Sequence, residues 1–257
     1  MPDLIRMEAI RKQYGNVVAL EGVDFHVGER EIVGLLGDNG AGKSTLIKVL
    51  SGAVPITSGE IYVRGQKATI NSTTDAIGYG IETIYQDSAL VTQLSIARNL
   101  FLGREPVKGP KLLGRLDTEA MNGVASGLLR RVGIEKNIPP DTPIAALSGG
   151  ERQAVAIARA MHFESDLIIL DEPTNNLGVA ETQGVLNFVR SARASGHSCI
   201  FIAHNIHHLF QVVDRIVVMR RGRKVADDID PKRTSVEAVE NVITGMTAEG
   251  VPIDGGR

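Results

Sequence analysis

Lys43 and Ser44 close a run, Gly37-Asp38-Asn39-Gly40-Ala41-Gly42-Lys43-Ser44-Thr45, whose residue types and spacing suit the binding of phosphate. Glycines let backbone N–H groups converge on an anion without Cβ clashes. A lysine at this position can reach β- and γ-phosphates, and the following hydroxyl can ligate Mg²⁺. An apolar run at 32–36 reads as a strand and residues 46–50 as a helix, so the loop sits between strand and helix. The helix N-terminus then adds unsatisfied donors and a positive dipole end. These flanks weigh against the bland alternative, a Gly-rich turn that merely caps a helix.

A second glycine-rich helix start lies far downstream, at Leu147-Ser148-Gly149-Gly150-Glu151. Ser148 and Glu151 have the spacing of a capping box, which accounts for those two residues. It does not account for Gly149 and Gly150, which cost helix propensity of roughly 1 kcal/mol each inside a helix. Their use would be to let backbone donors approach a ligand. Soon after comes Leu167-Ile168-Ile169-Leu170-Asp171-Glu172, an apolar strand ending in two carboxylates. Such a strand is buried on both faces, and ligands bind at the C-terminal ends of strands in α/β sheets. Asp171 suits Mg²⁺, directly or through water. Alternation along a strand sends Glu172 the other way, towards a γ-phosphate, as general base or water-positioner.

The elements that must hold these groups follow from pattern. Residues 4–27 and 59–70 contain short alternating runs, read as an antiparallel sheet with one wet face. Residues 90–163 read as helical, with Asp117-Thr118-Glu119-Ala120 opening one helix and loops at 103–114 and 137–143. Apolar strands at 31–36, 167–170, 198–203 and 215–219 alternate with helices and predict a mostly parallel sheet. The 257 residues fit a single α/β domain over 4–245 with a frayed tail at 246–257. A net charge of −2 implies no nucleic-acid stripe. The single Cys199 lies in an apolar run and suits a reducing compartment. No apolar run approaches ~18 residues, and Met1-Pro2-Asp3 does not open a signal peptide.

Taken in order, these motifs resemble the ATP-binding subunit of an ATP-binding-cassette (ABC) transporter over residues 7–245. The resemblance implies a P-loop NTPase cassette: a RecA-like parallel-sheet core, an N-terminal antiparallel β subdomain and a helical subdomain at about 90–163. It implies ATP and Mg²⁺ as ligands. The family's adenine-stacking aromatic falls on Tyr14, after Lys12-Gln13. Its phosphate loop is 37–45 and its signature Ser148, Gly149 and Gly150. The family's glutamine, which contacts Mg²⁺ or the attacking water and senses the membrane partner, falls on Gln86. Its γ-phosphate histidine falls on His204. His204, His207 and His208 would share one helix face, a spacing that could bind metal, although a surface pair at 207 and 208 is the simpler reading. Asp171 and Glu172 keep the roles given above, and Lys43 joins Glu172, Gln86 and His204 as catalytic.

One position departs from the family pattern. After Glu172-Pro173-Thr174 comes Asn175-Asn176-Leu177-Gly178, where many relatives carry Ser-Ala-Leu-Asp. The Asp helps couple two ATP sites, so Gly178 bears on coupling, not on hydrolysis. With one phosphate loop and one signature, the resemblance implies a head-to-tail dimer of this chain with a second copy of itself, or with a similar subunit, each ATP held by one partner's loop and the other's signature. It also implies separate integral-membrane permease subunits, indirectly a periplasmic or extracellular sugar-binding protein, and a peripheral place at the cytoplasmic face of the membrane. Gly37 to Ala41, Tyr85-Gln86-Asp87, Asn99 to Glu105 and His204 to His208 resemble the monosaccharide-importer branch, with fructose-, ribose- or xylose-type cargo. The competing class is a soluble ABC ATPase, for example one of cluster assembly. Sustained heptads and a second cassette, marks of DNA-repair and translation members, are not seen.

Overall fold

The computed structural model describes residues 2–85, 90–109, 114–131, 138–162, 165–175, 177–203 and 205–246. Its first elements in chain order are β1 (Asp3–Tyr14), β2 (Val17–Gly28), β3 (Ile32–Gly37), α1 (Lys43–Leu50), β4 (Ser58–Val63), β5 (Gln66–Ala68), α2 (Thr73–Gly78) and β6 (Ile81–Ile84). There follow α3 (Ile96–Leu100), β7 (Val107–Lys108), β8 (Arg115–Leu116), α4 (Thr118–Arg131) and α5 (Gly149–His162). The last are β9 (Leu167–Asp171), α6 (Val179–Ala194), β10 (Ser198–Ile202), α7 (Ile206–Phe210), β11 (Arg215–Arg220), β12 (Arg223–Ile229) and α8 (Val236–Thr244). The chain divides into two compact units, residues 1–83, 165–172 and 189–257, and residues 84–164 and 173–188.

The first unit holds a six-stranded sheet of order β12-β11-β3-β10-β9-β6. β3 runs parallel to β10 on one side and β11 on the other, β9 runs parallel to β10, and β12 returns antiparallel beside β11. Strands covered on both faces select apolar residues at every position. That is why β3, β9 and β10 read as unbroken apolar runs, and all five residues of β10 are buried. Leu46, Ile47, Val49 and Leu50 of α1 are buried in a core shared with Phe25, Leu35, Ile169, Ile200 and Val217. Cys199 is wholly buried in β10, and burial, with the nearby charge of Asp214, pushes its thiol up to about 12. A thiol so placed is protonated and inert.

The antiparallel sheet of the same unit has the order β2-β1-β4-β5. Here the strands are longer than the short runs read from sequence: β1 and β2 have 12 residues each. A register shift between Met7 and Ile10 is the reason. Ala9 sits there with φ 47°, and its N–H donates to Asp24 Oδ1 at 2.7 Å. Such a bulge flips the side-chain alternation midway, so one strand looks like two fragments.

Arg215 ties β11 to β2, β3 and β12. The residue is 7% exposed, and its guanidinium donates to Glu31 Oε1 at 2.7 Å and to the His26 carbonyl at 2.8 Å, and pairs with Asp227. Burial alone would raise the Glu31 carboxyl, but hydrogen bonds from Arg215 and the Gly28 amide, with the charges of Arg215 and His26, hold it below its usual range. Asp227 is lowered in the same way: burial is outweighed by Lys224 and Arg215. Depressed carboxylates contribute stability that is present above their unfolded pKa values, about 4, and is lost as pH falls through the lower folded values. Arg215→Met reverses this sign at Glu31, which is left buried without its main partner. We expect a loss of about 3–5 kcal/mol at pH 7 in urea unfolding, and a smaller loss at pH 5, where the stranded carboxyl takes up a proton.

The second unit is built on α3, α4 and α5, whose Ile96, Leu100, Met121, Leu128 and Val155 share a core. Asp117 caps α4 as its sequence suggested, accepting from the Ala120 N–H at 3.0 Å. Asn99 is fully buried in α3. Its amide donates to the carbonyls of Val91, Leu94 and Ser95, and its oxygen accepts from the Val91 N–H at 2.7 Å. A buried amide with its partners satisfied fixes the loop that leads into α3. The stretch at 103–114, read as loop, contains a short strand instead: β7 lies within it and pairs antiparallel with β8 just beyond it. No helix among the described residues is long and apolar enough to cross a membrane.

Candidate functional site

The phosphate loop leaves β3 and enters α1 through a backbone that only glycine adopts easily. Gly37, Gly40 and Gly42 have φ of 148°, 78° and 103°. A Cβ on Gly37 would lie 2.2 Å from the Met219 carbonyl oxygen, and one on Gly42 2.9 Å from that of Ala19. Gly40 would meet nothing, so conformation alone selects it. Ala41 N–H donates to the Asp38 carbonyl at 3.0 Å, and Asn39 N–H to Asp38 Oδ1 at 2.8 Å. The loop is braced from the β11–β12 turn: Gly222 N–H donates to the Ala41 carbonyl at 2.9 Å, and Glu21 N–H to the Gly222 carbonyl at 2.8 Å. Sequence gave no signal for this brace, because it joins residues distant in the chain.

Lys43 opens α1 and is 8% exposed. Its ammonium donates to the carbonyls of Gly37 at 2.6 Å and Asp38 at 3.0 Å. Burial lowers its pKa, and the charges of Glu172, Asp38 and Asp171 work against that shift. The structure therefore brings Lys43, Asp38, Asp171 and Glu172 into one electrostatic neighbourhood. Ser44 is exposed and Thr45 half-buried on the first turn.

Asp171 ends β9, paired in register with Ile202. The strand stops there, and this corrects the alternation argument for Glu172. Glu172 has φ 53°, a left-handed conformation rare for a residue with a Cβ, and its N–H donates to the Ile202 carbonyl at 3.0 Å. Its direction is set by this bend and not by the pleat. Strained backbone of this kind costs on the order of 1–3 kcal/mol and clusters at functional sites.

Tyr14 closes β1 and is 44% exposed. Lys12 lies two residues earlier, on the same side of the strand, with its ammonium 4.8 Å from the ring centroid and bonded to the Pro55 carbonyl at 2.7 Å. The period-2 spacing of Lys12 and Tyr14 was the available signal, and sequence reading did not use it.

In the second unit, Ser148, Gly149 and Gly150 form the start of α5. The capping box is present: Glu151 N–H donates to Ser148 Oγ at 3.3 Å and Ser148 N–H to Glu151 Oε2 at 2.8 Å. Both glycines are inside the helix. Gly149 has open space beside it, while Gly150 is crowded by Glu181. Gln86 and His204 lie outside the described residues. Among those described, no group of three or more His, Cys, Asp or Glu could hold a metal ion. Asn205 caps α7 by accepting from the His207 N–H at 3.0 Å, and its amide lies 3.3 Å from His208 Nε2.

The ABC transporter family matches residues 20–175, from β2 through the phosphate loop, signature and carboxylate pair. The chain belongs to the ABC transporter family. Among relatives, the fructose import ATP-binding protein of Rhizobium meliloti is 41% identical over 246 residues, 94% of each chain. The xylose/arabinose import ATP-binding protein of Sulfolobus acidocaldarius is 41% identical over 248 residues, 96% of each. A nucleotide-free ATP-binding cassette from an ABC transporter superposes with a TM-score of 0.79 at 25% identity, over 94% of this chain and 95% of that one. This ABC chain thus shares the cassette fold from β1 to α8.

Proposed function

We propose that this ABC chain is the ATP-hydrolysing subunit of a monosaccharide importer, driving uptake through separate membrane permease subunits at the cytoplasmic face. The observation that carries it is the Lys43 ammonium, held by two loop carbonyls at the head of α1 and within the field of Asp171 and Glu172. That arrangement presents a buried cation and loop amides to the β- and γ-phosphates of ATP. The two relatives above import sugars. Tyr14, with one face backed by Lys12, would stack on adenine.

The donor set also fits Mg²⁺, a hard cation that takes oxygen ligands. Ser44 is exposed on the first turn beside the loop, and Asp171 ends β9 with its charge acting on Lys43, so both offer oxygen. Bound there with ATP, Mg²⁺ would neutralise phosphate charge. This chain's residues do the rest. The loop and Lys43 bind and orient the phosphates, and Glu172 orients a water and takes its proton. Gln86 and His204 would complete this set. Ser148 and the N–H groups near Gly149 and Gly150 would meet the γ-phosphate held by a second copy, giving a two-fold dimer with two shared sites.

Tagged chain isolated from its own membranes should carry integral-membrane subunits with it. Reconstituted with them and a sugar-binding protein, its ATP hydrolysis should rise severalfold on addition of one pentose or hexose. Full hydrolysis by a chain that retains no membrane subunit and responds to no sugar would overturn the import reading.

A further inference from the structure

Lys12 is 9% exposed, and a buried ammonium needs partners for its charge and its three N–H donors. One donor goes to the Pro55 carbonyl at 2.7 Å, and the nitrogen lies over the Tyr14 ring, 4.8 Å from its centroid. No carboxylate among the described residues pairs with it. The ring face is therefore what the cation answers to. The backbone on either side of Tyr14 is pinned as well. Thr57 N–H donates to the Arg11 carbonyl at 2.8 Å, Gln13 N–H to Thr57 Oγ1 at 3.0 Å, and Gln13 Nε2 to the Gly15 carbonyl at 2.7 Å.

The strands also set how far the ring stands from the phosphate loop. A Cβ on Gly42 would lie 2.9 Å from the Ala19 carbonyl oxygen and 3.1 Å from Leu20 Cδ2, so the loop packs on β2 at these residues. β1 pairs Lys12 with Leu20, Gln13 with Val18 and Tyr14 with Val17. From Leu20 to Val17 the strand advances roughly 10 Å. That is the gap a ribose bridges between a base and its phosphates. We propose that Lys12 is a positioning residue for the nucleobase: its ammonium covers one face of Tyr14, holds the ring before nucleotide arrives, and leaves one face for the base. This rests on the reading of Tyr14 as the partner that stacks on adenine. Two π faces repel through their like quadrupoles, and a cation behind one ring offsets that repulsion. A ring fixed in advance also costs less to order on binding. Lys12 thus acts on the base alone, while Lys43 and the loop serve the phosphates.

Calorimetry on the full chain tests this with the wild type, Lys12→Met, Tyr14→Leu and the double variant. The ligands are a non-hydrolysable ATP analogue and inorganic tripolyphosphate, which has no base. Tyr14→Leu should bind the analogue roughly tenfold or more weakly, the usual loss of a base–aromatic stack. Lys12→Met keeps the length and apolar stem of the side chain and should bind it roughly three- to tenfold more weakly. In the Tyr14→Leu background Lys12→Met should add no further loss, because its effect passes through the ring. Tripolyphosphate should bind all four chains alike. Wild-type affinity for the analogue in Lys12→Met would overturn the proposal. So would a loss that falls equally on tripolyphosphate, or one that persists undiminished without Tyr14, since either would mean that Lys12 only holds the fold. Wild-type affinity in Tyr14→Leu would instead overturn the stacking reading itself.

Discussion

Glu172→Gln should bind ATP as the wild type does and hydrolyse it about 10²-fold or more slowly, in line with the contribution of a general base. The backbone places this residue: β9 ends at Asp171, Glu172 bends left-handed, and its N–H is held by the Ile202 carbonyl. Gln has the same length and can occupy the same place, so geometry survives while the basic oxygen is lost. Glu172 is also the foremost charge opposing the depression of Lys43 by burial. Binding tolerates that loss, because the phosphates of ATP bring negative charge to the same ammonium. Turnover and equilibrium binding of a fluorescent ATP analogue separate the two effects. Near-normal turnover would remove Glu172 from the role of base.

Lys43→Ala should be more severe, with hydrolysis falling to background and ATP binding weakened. The ammonium is buried and makes two hydrogen bonds to loop carbonyls, so it neutralises phosphate and also braces the loop in its binding shape. Preorganised charge at such a site is worth about 10²–10³ in rate for a single donor. Its loss also releases the Gly37 and Asp38 carbonyls, whose oxygens then face the anion without the cation between them. Hydrolysis above background in purified Lys43→Ala would mean that the phosphates are held elsewhere.

What could be read from sequence follows from what constrains sequence. The phosphate loop was legible because the φ values at Gly37, Gly40 and Gly42 demand glycine at fixed offsets. β3, β9, β10 and β11 were legible because double-sided burial leaves polar residues only at their end positions. The length of β1 was hidden by the bulge at Ala9, and β7 and β8, two residues each, are too short to show a period. The left-handed bend at Glu172 was not legible, because nothing in a Glu announces one. The packing of Glu181 on Gly150, and the Gly222 brace behind Ala41, are tertiary contacts with no local signature. Gln86 and His204, named by resemblance to the family, are not among the described residues.

The central claim is that each ATP site joins the phosphate loop of one copy to the signature of another, and complementation tests it most directly. Ser148→Arg blocks the signature and leaves that chain's own loop around Lys43 intact. Lys43→Ala does the reverse. Each should be inactive alone. In a mixed dimer, the intact loop of the Ser148→Arg chain meets the intact signature of the Lys43→Ala chain, and the other site carries both defects. ATPase activity should reappear on mixing, together with ATP-dependent dimers on gel filtration. Ser148→Arg chains that hydrolyse ATP at the full wild-type rate while remaining monomeric at all protein concentrations would contradict the account.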